Sequence, residues 1–358
     1  MSLLISSENV RLALLRQILN PRSGEHRPEV VVGTGEADDA AILQVSAAEY
    51  LVVSSDFVRG SGFYLFELGY LDYFDVGYYL IAANASDLAA MGAKPIAATT
   101  IVRYTDKMTD DDFVSVFRGI KAAADEFGLE IVGGDIGGHS ADVFAATAIG
   151  SVRPDRVLRR NGAHIGDVLC VTGPVGRPIT ALTYFKKAKP AGLTLALDVE
   201  EQLLNSWRRP IARVREGQVI SDLNCATACQ DISDGLKATI DQISEASNVS
   251  IRVYEDKIPI IEATNVVAQY LGTDSTALAM SASVDFELLF SLPMGRVTET
   301  MVALSHVGCH ATVIGEVIQQ GDNLLVDRAG TERILPGVAW QQQTGDYLAD
   351  IIRRGAKA

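Results

Sequence analysis

The sequence predicts an α+β protein of mixed α/β type built as two domains, and three observations support this. A chain of 358 residues is about two domains at roughly 150 residues each, and 48% hydrophobic residues can fill two cores. Short apolar strands alternate with helical periodicity through the first half, and the alternation then starts again. The most polar and basic stretch of the middle, "RPDRVLRRNGAHIGD" (153–167), separates the halves. One domain is therefore expected over residues 1–153 and a second over 154–358.

Along the chain, Val10, Leu14, Leu15, Ile18 and Leu19 recur at helical spacing over residues 6–19. Residues 41–44 and 50–55 read as short apolar strands. The run over 73–91 is too long for one strand and rich in alanine, which makes it a helix with Asn84, Asp87 and Met91 on one face. A strand at 95–103 follows. In "TDDDF", Thr109 is an N-cap with Asp112 three residues on, and Phe113, Val116, Phe117 and Ile120 form the apolar stripe of the helix it starts. Strands at 129–133 and 142–152 close the first half.

The second half begins with "DVLCVTG" as a strand and a Gly/Pro turn. A helical region from about 178 to 218 and a strand ending in "CQDISDGL" come next. Then follow a helix carrying Leu236, Ile240 and Ile243, the strand "VSIRVYE", a helix near 261–271, the strand "FELLFSL", a helix at 295–306 and the strand "ATVIGEV".

The formal net charge of −14 opposes a phosphate backbone or an anionic membrane surface, so neither nucleic acid nor membrane is an expected partner. Cys170, Cys225, Cys229 and Cys309 fit neither a disulfide framework nor a two-plus-two zinc pattern, and buried, reduced thiols are expected. The first residues lack a basic segment and a small-residue cleavage site, and no stretch supplies ~18 uncharged apolar residues. A cytoplasmic location is expected.

Five places set aspartate beside glycine or a small residue at the mouth of a strand or helix. They are "GEADDAAIL" (Asp38, Asp39), "VVSSDF" (Asp56), "NASDLAAMGA" (Asp87), "VGGDIGG" (Asp135) and "QDISDGL" (Asp231, Asp234). One alone would be a turn or a cap. Five together are a set of hard oxygen ligands with few basic residues nearby in sequence, which is what Mg²⁺ with substrate phosphates requires. "VGGDIGG" and the "TGPVG" turn (172–176) allow close backbone approach and can offer N–H groups to phosphate oxygens. Neither a Walker A loop nor a GxGxxG fingerprint occurs.

In this order and spacing, "ADDAAIL", "SSDFVRGSGF", "ANASDLAAMGAKP", "IVGGD", "RRNGAHIGD", "VTGPVG", "DISDGL", "VDFELLF" and "VIGEV" resemble the thiamine-monophosphate kinases. These belong to the PurM-like (aminoimidazole-ribotide synthetase) superfamily, and the resemblance spans residues from about 33 to 316, with a weaker tail to 340. It implies two PurM-like α+β domains, a homodimer built through the N-terminal domains, ATP as co-substrate, several Mg²⁺ ions with K⁺ as a further ion, and a small phosphorylated acceptor. Asp39, Asp56, Asp87, Asp135 and Asp231 match the family's metal ligands, with Asp234 a further metal position. Ser54 and Ser55 stand where a hydroxyl or backbone ligand is expected. Gly134, Asp135, Arg160 and Ser233 match ATP-contacting positions, and Tyr104 lies near the nucleotide. Trp340 stands where the family places an aromatic residue against its substrate's ring. The implied mechanism is metal-assisted in-line phosphoryl transfer with no catalytic Ser, Cys or His.

Two departures fall on the acceptor side. "GSGF" puts Gly62 where the family has a histidine that contacts thiamine phosphate, and "SVDFEL" puts Val284 where it has a substrate-contacting glutamate and Phe286 where it has tyrosine. Three functions follow: an active thiamine-monophosphate kinase with a shifted acceptor pocket, a related kinase or synthetase acting on another small acceptor, and a non-catalytic ATP-binding dimer.

Overall fold

The computed structural model describes residues 18–19, 27–34, 36, 38–338 and 347–355. Ile18 and Leu19 are helical, while the rest of the helix expected at 6–19, and Trp340, lie outside the described residues.

Six strands form the first sheet: β1 (Val30–Val32), β2 (Ala41–Gln44), β3 (Tyr50–Val58), β4 (Lys94–Tyr104), β5 (Glu130–Gly138) and β6 (Val143–Val152). Their order is β1-β2-β3-β6-β4-β5. β4 and β5 run parallel and are linked through the helix Asp110–Phe127, as a parallel pair requires a crossover. The other neighbours are antiparallel. Along β6, Phe144, Ala146, Ala148, Gly150 and Val152 are buried and the alternate residues only half-buried, the period-two signature of a sheet with one covered face.

The covering element is the central helix Tyr73–Ala90, which opens on a reciprocal capping box between Asp72 and Asp75. It is apolar almost all round and must be enclosed on every side. Its buried residues join one continuous core with Val168, Cys170, Phe290 and Leu292 of the second domain. The helix Asp110–Phe127 opens on the expected Thr109/Asp112 capping box, and it crosses the central helix where two glycines meet. A Cβ on Gly77 would lie 2.0 Å from the Val116 carbonyl oxygen, and one on Gly119 would lie 2.0 Å from that of Phe74. Gly119→Ala must therefore push the helices apart, and a loss of about 3 kcal/mol in urea-unfolding stability is expected.

Seven strands form the second sheet: β7 (Asp167–Val171), β8 (Ala228–Asp231), β9 (Ser250–Tyr254), β10 (Leu288–Pro293), β11 (Thr312–Ile318), β12 (Leu324–Val326) and β13 (Glu332–Ile334). Their order is β13-β12-β9-β11-β7-β10-β8. β7 and β8 are buried on both faces, which explains the unbroken "DVLCV" run. All four cysteines are buried and free. Among the described residues, no helix is long and apolar enough to cross a membrane.

The helical region expected at 178–218 is divided into Arg177–Thr183, a π-helical turn at Tyr184–Ala188, Leu197–Arg208 and Val214–Leu223, with Pro190, Gly192 and Pro210 in the breaks. β5 extends to Gly138, so "VGGDIGG" is strand rather than loop.

Candidate active site

Between the two sheets lies a cleft of about 690 Å³. Two chemically distinct groups of side chains line it, one acidic and one aromatic.

The acidic group is assembled from four segments. Ser54 and Asp56, two residues apart on β3, share a face. Ser54 Oγ donates to Asp87 Oδ2, and Asn84, one turn before Asp87 on the central helix, accepts the Asp56 amide at 3.2 Å. Asp39, just before β2, holds the Arg160 guanidinium, while Asp38 accepts the Arg160 amide at 3.2 Å. The basic crossover is thus docked onto the first domain's aspartates. Asp231 ends β8 with 1% exposure and accepts from Ser86 of the central helix and from Ser233 at 3.1 Å. Asp234 and Ser233 line the same cleft.

These carboxyls act on one another. Burial pushes Asp39 up to about 8, with Arg160 opposing and Asp231 and Asp38 adding to the rise. Burial, then the charges of Asp231 and Asp234, pushes Asp56 up to about 6. Asp87 is raised well above its ordinary range by burial, then by Asp231 and Asp56. Burial raises Asp231 as well, against the hydroxyls of Ser86 and Ser233. Such a site is short of positive charge. Asp39 Oδ2 is buried without a hydrogen-bond partner, an acceptor left over for a ligand. Among the described residues, no three acidic, His or Cys side chains form a ready-made metal cage. Mg²⁺, however, ordinarily takes one or two carboxylates and completes its shell with water and phosphate oxygens. The donor set fits ions that arrive with a nucleotide.

Asp135 stands apart from this cluster. It lies on the edge strand β5 with its side chain 67% exposed, paired with Arg103 of β4, whose guanidinium holds the carboxyl below its usual range. Beside it Gly134 packs so closely on β4 that a Cβ would lie 2.1 Å from the Thr100 carbonyl oxygen. Tyr104 ends β4 with its ring edge-on to Phe113 at 5.6 Å. Within one chain, none of these three lines the cleft.

The aromatic group was not evident from the sequence. Phe63 and Trp207 approach at 4.6 Å between ring centroids, Tyr79 stacks on Trp207 at 5.9 Å, and Phe286 tilts against Tyr79 at 5.5 Å. Ile179, Leu182 and Val284 complete this wall. The rings come from four separate segments, and Trp207 sits in a helix that its periodicity alone marks as amphipathic.

The "TGPVG" turn does not present free groups to a phosphate. Its Thr172 hydroxyl donates to Glu287 at 2.6 Å and its Gly176 amide to Asp285 at 2.8 Å, so the chain's own carboxylates fill it.

Two family models match the chain: AIR synthase related protein, N-terminal domain, over residues 37–152, and AIR synthase related protein, C-terminal domain, over residues 164–327. The thiamine-monophosphate kinase of Pyrococcus horikoshii is 32% identical over 275 residues, covering 76% of this chain and 81% of that protein. The chain belongs to the thiamine-monophosphate kinase family. A thiamine-monophosphate kinase from Stenotrophomonas maltophilia K279a superposes with a TM-score of 0.69 at 28% identity, over 89% of this chain and 95% of that one. AaThiL complexed with AMPPCP and TMP superposes with a TM-score of 0.77 at 23% identity, over 96% and 99%, which shows a shared fold. The expected PurM-like two-domain fold is therefore the one found.

Of the positions where the chain leaves the thiamine-monophosphate kinase pattern, Gly62 is exposed at the end of the turn Gly60–Gly62, and a Cβ there would meet nothing within 4 Å. Val284 is half-buried in the cleft wall.

Proposed function

We propose that this chain is a Mg·ATP-dependent kinase that converts thiamine monophosphate to thiamine diphosphate. An oxygen of the acceptor phosphate bonds to the γ-phosphorus of ATP, the bond to the β–γ bridging oxygen breaks, and ADP leaves. The observation that carries this reading is one cleft lined by a charge-starved aspartate cluster and by four aromatic rings. Asp39, Asp56, Asp87, Asp231 and Asp234, with Ser54, would hold Mg²⁺, and K⁺ is the further ion the family resemblance implies. When bound, such ions neutralise the phosphate oxygens as charge develops. Arg160 is placed to exchange part of its pairing with Asp39 for a phosphate oxygen, and its Nε is buried without a partner. Ser233 offers a hydroxyl beside Asp231. Phe63, Tyr79, Trp207 and Phe286 suit a flat, cationic ring.

Incubation with Mg·ATP and thiamine monophosphate is expected to yield the diphosphate and ADP in equal amounts by chromatography. ATP consumption without diphosphate would defeat the acceptor assignment. A second acceptor class is favoured by one observation, the apolar Val284 and vacant Gly62 side where polar partners would raise selectivity. If thiamine monophosphate is the acceptor, Gly62→His lowers its KM roughly tenfold, because the imidazole has open space to occupy and a phosphate to bond.

We assign residues 1–153 and 154–358 to the two domains and the reaction to the cytoplasm, where buried free thiols persist. The uncovered face of the first sheet, with Ile101 47% and Phe57 66% exposed, supports a symmetric homodimer through the N-terminal domains. In that dimer, the partner's Asp135, Gly134 and Tyr104 would complete the nucleotide site. Ile101→Arg is expected to give monomers in light scattering, together with at least tenfold weaker Mg·ATP binding.

A further inference from the structure

The segment Val284–Glu287 carries two internally bonded carboxylates that the proposed chemistry does not use, the half-buried Asp285 and the buried Glu287, and between them a residue in an unfavourable backbone conformation. Phe286 has φ +54°, which a bulky side chain adopts only where its surroundings impose it. Both neighbours are anchored in the "TGPVG" turn. Asp285 is half-buried with Oδ2 shut off from solvent, and Oδ1 accepts the Gly176 amide at 2.8 Å, at the start of the helix Arg177–Thr183 that bears Ile179 and Leu182 of the cleft wall. Glu287 receives Arg213 through two bonds of 2.7 Å and the Thr172 hydroxyl at 2.6 Å, and its carboxylate occupies the space a side chain on Gly173 would need. Phe286 itself is tied through backbone to the metal-side strand end: its amide donates to the Ile232 carbonyl at 2.9 Å, and the Ile232 amide donates to the Glu287 carbonyl at 2.8 Å.

We propose that Asp285 is the positioning residue of the acceptor wall. The turn that looks like a phosphate cradle is an internal socket for its carboxylate. Docked there, Asp285 holds the left-handed Phe286 so that its ring lies against Tyr79, and fixes Val284 and the Ile179–Leu182 wall relative to Asp231. An accepting side chain of this length, unlike an apolar one, bonds the Gly176 amide. Asp285 touches neither nucleotide nor acceptor in this scheme and acts through Phe286 and Val284. The inference rests on the acceptor assignment made above.

The test compares Asp285→Ala and Asp285→Asn in full-length protein by steady-state kinetics and by hydrogen exchange of the segments around 174–183 and 282–288. Alanine is expected to raise the KM for thiamine monophosphate at least about tenfold while leaving the KM for ATP within about twofold, and asparagine, which still accepts the Gly176 amide, to restore the acceptor KM to within about threefold of wild type. Exchange in the two segments should quicken in the alanine variant alone. An alanine variant with an unchanged acceptor KM, equal rises in both KM values, or an asparagine variant as impaired as alanine would overturn the proposal. If wild type forms no diphosphate, the acceptor assignment fails on its own. The positioning claim then stands or falls on exchange: localised acceleration in the alanine variant supports it, and unchanged exchange refutes it. If the alanine variant does not fold, Asp285→Ser, too short to reach the Gly176 amide, takes its place with the same expected results.

Discussion

Asp231→Asn is expected to abolish phosphoryl transfer while making the metal-free protein more stable. Asp231 ends β8 in the interior, where Ser86 and Ser233 hold both its oxygens. Asparagine has nearly the same shape and can keep partners for both hydroxyls, so packing is preserved. What changes is charge. Asp231 contributes to the raised proton affinity of Asp39, Asp56 and Asp87. Removing it relieves repulsion among them, and a gain of about 1 kcal/mol in metal-free stability is expected, since a tenfold change in one group's proton affinity is about 1.4 kcal/mol. The same removal would withdraw a proposed ligand from the ions that neutralise the transferring phosphoryl group, and a fall in kcat/KM of about 10³-fold or more is expected. Thermal melts without metal and product assays with Mg·ATP check the two halves. Opposite signs for stability and activity mark a functional carboxylate rather than a structural one.

The second large effect concerns pH. Folding raises the proton affinity of Asp39 and Asp56 above the ordinary aspartate value of 3.8, to about 8 and about 6. A group whose folded-state pKa is raised contributes stability that is fully present below the unfolded value and is lost as pH climbs through the folded value. Metal-free protein should therefore weaken between about pH 4 and about pH 8, most of it from the enclosed Asp39 carboxyl, because solvent screens the exposed Asp56. Asp87 and Asp231 shift in the same direction. Mg²⁺ competes with these protons, so the rise in Tm on adding Mg·ATP should be larger at pH 8 than at pH 6, with proton release on binding. Melts at the two pH values with and without Mg·ATP check this. A metal-induced shift that is equal at both pH values, or larger at pH 6, would mean that the aspartates are not the groups displaced.

Much of the acidic site could be read from sequence because each aspartate lies beside its own local signal. The period of two in "SSD" puts Ser54 with Asp56, the small-residue helix places Asp87 with Asn84, and "QDISDGL" ends a strand. The central helix and its Asp110–Phe127 neighbour were equally plain, one from length and composition and the other from the Thr109/Asp112 cap. Spacing along the chain does not say which face of a sheet a residue takes, and so it does not show that Asp135 stands on the edge strand beside Arg103 while Asp39, Asp56, Asp87 and Asp231 act on one another. The aromatic wall was hidden for a related reason: Phe63, Tyr79, Trp207 and Phe286 meet only through tertiary packing. "TGPVG" misled because a turn that offers N–H groups to an anion binds an internal carboxylate as readily as a phosphate. The strands Leu324–Val326 and Glu332–Ile334 are too short to show any period.

The proposed function requires that the cleft aspartates recruit divalent ions to hold ATP. Isothermal titration of ATP into wild-type protein, once with Mg²⁺ and once with a chelator in place of metal, tests it most directly. Binding that depends on Mg²⁺ and disappears in the chelator is the predicted result; equal affinity in the two titrations would contradict it.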